Sequence, residues 1–104
     1  MFNIKISTYP ISIEENYSLI RSLKERGLTY INQTSTDPYD LHMEASEESF
    51  SLFTLIGTIV ACYQYEFRND EAHFLRGDFD FIINDVEYSF EKGMSAYECM
   101  QAAS

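Results

Sequence analysis

SEESFSLFTLIGTIVACYQYEF, residues 46–67, is the stretch whose reading decides the fold. No charged residue occurs between Ser49 and Tyr65. Phe53, Ile56, Val60, Tyr63 and Phe67 recur at helical spacing, and Leu52, Leu55 and Ile59 widen that stripe. Ser46 stands where a helix cap belongs, with Glu47 and Glu48 at the positive end of the dipole. Ser51, Thr54, Thr58, Ala61 and Tyr65 form a second, mostly small stripe, expected to press close to a neighbour. The stretch therefore predicts a buried central helix. Its β-branched residues would suit a strand pair, but an uncharged run of this length without turn chemistry exceeds the usual strand of about 3–10 residues. A membrane span needs about 20 mostly apolar residues, and this run is shorter and holds Ser, Thr and Gln.

Upstream, Phe2, Ile4 and Ile6 alternate with Asn3, Lys5 and Ser7, predicting a strand over residues 2–9 that Pro10 ends. Ser12 to Glu15 is a capping-box pattern opening a helix over 13–26, with Ile13, Tyr17, Ile20 and Leu23 on one face. Arg21, Lys24 and Arg26 complement the C-terminal dipole, and Gly27 stops the helix. Leu28 to Thr34 reads as a second strand and Tyr39 to Ala45 as a third. In the third, Asp40, His42 and Glu44 face away from Tyr39, Leu41, Met43 and Ala45. The intervening STDP is turn chemistry, so these two strands are expected to pair as a hairpin.

Downstream, RNDE at 68–71 breaks the pattern, and short strands are expected at 72–76, 79–83 and 86–91. Gly77-Asp78 and Asn84-Asp85 separate them. Phe79, Phe81, Ile83, Val86, Tyr88 and Phe90 face one way, and Asp78, Asp80, Glu87 and Glu91 the other. Gly93 and Ser95 lead into a short helix over 96–103. The order is β-α-β-β-α-β with a C-terminal strand and helix extension. That is the order of a ferredoxin-like α+β domain, an antiparallel sheet packed on two main helices with its other face open. One domain is expected over residues 1–104.

Seventeen Asp plus Glu against seven Lys plus Arg leave a net charge of −10, beyond the magnitude of about 2–8 that solubility asks of a small domain. Such a field repels nucleic acid and anionic membranes and attracts basic surfaces. The N-terminus shows no signal-peptide pattern, so Cys62 and Cys99 are expected as reduced thiols in a cytoplasm, with a disulfide between them left open. The acids cluster. Asp37, Asp40 and Glu44 form one candidate binding set, and Asp78, Asp80, Asp85, Glu87 and Glu91 another, with Tyr39 and Tyr88 as aromatic anchors. Rows of carboxylates on a sheet imitate the charge of a nucleic-acid backbone.

Competing chemistry is poorly supported. Asp40, His42 and Glu44 with His73 spell an iron facial-triad set, but three loosely specified positions arise by chance, and 104 residues leave little room for a co-substrate. Asp78-x-Asp80 lacks the Gly and final Glu of a calcium loop. Arg76-Gly77-Asp78 reads as a turn, and the glycosylation patterns at Asn16 and Asn32 are idle in a cytosol. No Cys lies near a His, and there is no glycine-rich elbow or phosphate loop. The expectation is a non-enzymatic acidic protein, without cofactor or metal. It would inhibit a larger nucleic-acid-binding protein by occupying its basic surface as a nucleic-acid mimic. Phage blockers of bacterial defence, anti-CRISPR proteins among them, share this character, though not these residues. An immunity protein or antitoxin facing a cationic toxin, and a small-molecule sensor of ferredoxin-like fold, stay open as alternatives, as does a homodimer.

Overall fold

Alternating polarity sorts every strand but the second into a buried and an open side, and the computed structural model follows it. The structure describes residues 1–7, 13–34, 39–66, 79–91 and 93–103, with backbone alone at 13–16. The elements are β1 (Phe2–Ile6), α1 (Ile13–Glu25), β2 (Thr29–Gln33), β3 (Leu41–Ala45), α2 (Leu52–Glu66), β4 (Phe79–Ile83), β5 (Val86–Phe90) and α3 (Ala96–Ala102). This is a small α+β fold. Among the described residues, five strands make one sheet in the order β2-β3-β1-β4-β5, with every neighbouring pair antiparallel. Expected strand 72–76 lies outside the described residues, as does the STDP turn, but the pairing of β2 with β3 bears out the hairpin.

Ile4 and Ile6 of β1, Leu41, Met43 and Ala45 of β3, Phe79, Phe81 and Ile83 of β4, and Tyr88 and Phe90 of β5 are buried. They meet Leu19 and Leu23 of α1, the apolar side of α2, and Cys99 of α3 in one core. The helices thus cover one sheet face, and the residues of opposite parity lie on the other. Aromatic stacking fills the centre: Tyr63 of α2 lies over Phe79 with ring centroids 3.7 Å apart, and Phe81 stacks on Tyr88 at 5.4 Å.

α2 is the central helix, with three corrections. Ser46 does not cap it. Its Oγ accepts from the Glu48 N–H at 3.1 Å inside a separate turn, closed by Phe50 N–H to the Ser46 carbonyl at 3.1 Å. Ser51 is the cap: its Oγ accepts from the Thr54 N–H at 3.1 Å, while Thr54 Oγ1 accepts from the Ser51 N–H at 2.9 Å. The extra turn delivers the Phe50 ring to Gly27, where an added Cβ would meet it at 3.6 Å. Second, Phe53 is exposed rather than buried, because the inward stripe is centred on Leu55, Ile56, Ile59, Val60, Cys62 and Tyr63. Third, Thr54, Ala61 and Tyr65 of the small stripe face solvent. The close approach falls at Gly57, where an added Cβ would lie 3.9 Å from Ala96 of α3.

Among the described side chains of α1 the buried ones are Leu19 and Leu23, Ile20 is half-buried, and Tyr17 is exposed. The inward stripe is turned toward Leu19 because α1 must meet both the sheet and α2. Gly27, with φ of 104°, ends the helix: its N–H bonds the Lys24 carbonyl at 3.0 Å and the Leu28 N–H bonds that of Leu23 at 3.1 Å. That pair of bonds is the Schellman stop, which a left-handed glycine accommodates without strain.

Candidate interaction surface

The open sheet face is assembled by register. Glu44 of β3 stands opposite Asn3 of β1, and His42 opposite Lys5. Lys5 in turn faces Ile82 of β4, and Ile82 faces Glu87 of β5. Asp80 faces Ser89 across the last pair, and Ser89 Oγ donates to Asp80 Oδ1 at 2.8 Å. Glu44, Asp80 and Glu87 therefore share this face around Lys5. Asp80 is diagonal to Glu87 across a strand pair, which places their side chains about 7–8 Å apart. Glu44 and Glu87 lie three strands apart and two residues along the strand direction, about 16 Å at ordinary strand geometry. This is sparser than the phosphates of one nucleic-acid strand, about 3.4 Å apart along the axis.

Two sequence-chosen residues from distant segments meet here. The Tyr39 hydroxyl donates to Glu87 Oε1 at 2.9 Å. Tyr39 precedes β3 and Glu87 sits on β5, with β1 and β4 between those two strands in the sheet. His42 Nε2 lies 3.1 Å from the Tyr39 carbonyl, and Gln33 Nε2 donates to Asp40 Oδ2 at 3.0 Å. Asp40 and Glu44 are half-buried, while Asp80, Asp85, Glu87 and Glu91 are exposed. Asp37 and Asp78 lie outside the described residues, as does His73.

Tyr88 does not belong to this face. It is 5% exposed, stacks on Phe81 and points into the core, because it shares the parity of Phe90. As an anchor for a partner it is ruled out. Burial and the neighbouring Cys99 push its hydroxyl pKa upward, and burial pushes the Cys99 thiol upward too. Cys99 donates to the Ser89 carbonyl at 3.5 Å, and Cys62 and Cys99 are separate, buried free thiols.

Lys5 at the centre of the face was legible only as one polar position of a strand; its acidic surroundings come from β3, β4 and β5. The basic cluster lies elsewhere: Arg21 and Lys24 project from α1, in the helical layer, and Arg26 follows in the turn that ends it. Arg21 and Arg26 help line a polar groove of about 410 Å³ between α1 and α2, together with Ser18, Ser22, Glu25 and Glu66. Among the described residues no three His, Cys, Asp or Glu side chains converge as a metal site would require, and no helix is long and apolar enough to cross a membrane. No family model matches the chain, and neither a curated protein nor a solved structure matches it.

Proposed function

We propose that this chain is a non-enzymatic, cytoplasmic acidic binding protein that occupies the basic surface of a larger, nucleic-acid-binding protein, as phage anti-defence and anti-CRISPR inhibitors do. The observation that carries the reading is the sorting of charge. Glu44, Asp80 and Glu87 share the open sheet face with a single cation among the described residues, Lys5, while Arg21, Lys24 and Arg26 lie on the helical side. Added to a net charge of −10, this gives a directional field that draws in a cationic groove and orients it. The frame is read as ferredoxin-like with β5 added beside β4. Supporting that, β1 lies between β3 and β4, and β2 lies outside β3.

The test is capture of partners from nuclease-treated lysate at about 50 mM and about 500 mM salt, a range over which phosphate-type electrostatic binding collapses. A nucleic-acid-handling protein should be retained at low salt, released at high salt and displaced by added DNA or RNA. The Asp80→Lys/Glu87→Lys double variant should lose it. Retention that ignores both salt and charge reversal overturns the proposal.

The sensor reading has one observation in its favour, the polar groove between α1 and α2. It predicts a rise in melting temperature with a small polar metabolite, unaffected by charge reversal on the sheet.

A further inference from the structure

The groove between α1 and α2 brings together charges of both signs. Arg21 and Arg26, both arginines of the described residues, line it with Glu25 and Glu66. None of these four joins an ion pair within the described residues. Arg21 and Glu25 stand one turn apart on α1, but with the cation first, the weaker of the two orders. Two guanidiniums and two carboxylates thus border one volume of about 410 Å³, at the small end of ligand sites, about 300–1,000 Å³. The rest of the lining is nearly as polar: only buried Cys62 carries neither a charge nor a hydroxyl.

We propose that this groove binds a small zwitterion of the α-amino-acid class, its carboxylate held by Arg21 and Arg26 and its ammonium by Glu25 and Glu66. The inference rests on the sensor reading of the groove and supplies that reading's ligand class. Charge balance selects the occupant. The four lining charges sum to zero, so the site favours neither a bare anion nor a bare cation. A bare anion also meets the C-terminal ends of both helices, where the carbonyl dipoles are negative, and a net charge of −10. A bare cation leaves two guanidiniums unanswered beside it. A zwitterion satisfies both signs and brings no net charge against the field of the protein. The guanidinium fork matches a carboxylate with two parallel bonds. An ammonium has three donors for carboxylates and for the hydroxyls of the lining. The polar lining offers no pocket for a large apolar side chain, which narrows the class to small or polar amino acids.

The experiment titrates the full chain with the common L-amino acids one at a time, each beside its deaminated acid and its decarboxylated amine. The readouts are the melting temperature and the NMR signals of Ser22, Cys62 and Tyr65. A small or polar amino acid should raise the melting temperature and move those signals. Its acid and its amine should each bind about tenfold more weakly, the loss expected when one charge-assisted contact goes. Arg26→Gln and Glu66→Gln should each weaken the amino acid by about the same factor. Arg26 is exposed and Glu66 half-buried, so both variants leave the core intact. The Asp80→Lys/Glu87→Lys variant, altered on the opposite sheet face, should bind the amino acid unchanged. An acid that binds as tightly as its amino acid, and more tightly still to Glu66→Gln, overturns the zwitterion and leaves the sensor reading an anionic ligand. Absence of binding by every amino acid, acid and amine overturns both, and neither result touches the acidic-inhibitor reading.

Discussion

The two outer hairpins of the sheet have strands of equal length and very different order. β4 and β5 pair without interruption from Phe79 opposite Phe90 to Ile83 opposite Val86. Asn84 and Asp85 join them with φ of 49° and 68°, a two-residue turn of the primed type that matches the natural strand twist. β2 and β3 shift register between Tyr30 and Asn32, and every residue of β2 is exposed. The difference teaches what holds a register in place. β4 and β5 bury large side chains under α2 and α3, so a slip of one residue would turn those side chains to water. β2 is an edge strand held by its bonds to β3, and an extra residue there displaces nothing buried.

The strongest way to break this comparison is to truncate one side chain in each hairpin. Phe81→Ala, at a fully buried ring in β4, should lower stability by about 3–5 kcal/mol. Ile31→Ala in β2, 47% exposed, should change it by no more than about 0.5 kcal/mol. Urea unfolding measures both, and similar losses would mean that β2 carries weight its exposure hides.

The next test concerns the cover over β5. α3 starts with a capping box in which Ser95 Oγ accepts from the Glu98 N–H at 3.1 Å and Glu98 answers to the Ser95 N–H at 3.3 Å. Ser95→Ala should cost about 1 kcal/mol and loosen the helix that carries Cys99. Cys99 should then react faster with a thiol reagent, whereas Cys62, buried on α2, should not. Unchanged labelling at Cys99 would show that α3 holds by packing alone. The smallest effect is at the turn. Asp85→Gly should raise the melting midpoint, by about 0.5 kcal/mol in stability, since Gly adopts positive φ without the Cβ penalty.

Much of the candidate surface was legible in advance because strand alternation is local. Asp80, Glu87 and Glu44 were placed on polar strand faces, and they share the open face. Tyr88 illustrates the limit. Its inward parity with Val86 and Phe90 was readable, and casting it also as an outward anchor set aside the pattern's own message. The Tyr39–Glu87 bond joins residues 48 apart in the chain, which no local spacing encodes.

By itself, the sequence determined the elements: the buried central helix, the Gly27 stop, the alternation in β1, β3, β4 and β5, and the Asn84-Asp85 turn. Each follows from periodicity or from the backbone preferences of a few adjacent residues. Tertiary structure decided what those rules leave degenerate. Ser46 was the expected cap of α2, but Ser51 caps it, and the packing of Phe50 on Gly27 goes with that choice. Phe53 and Tyr17 belonged to apolar stripes, and the directions in which α1 and α2 meet the sheet left both outside. Val86 had core parity, and the reach of α2 and α3 left it exposed. In each case local spacing permits more than one arrangement, and contacts between distant segments make the selection.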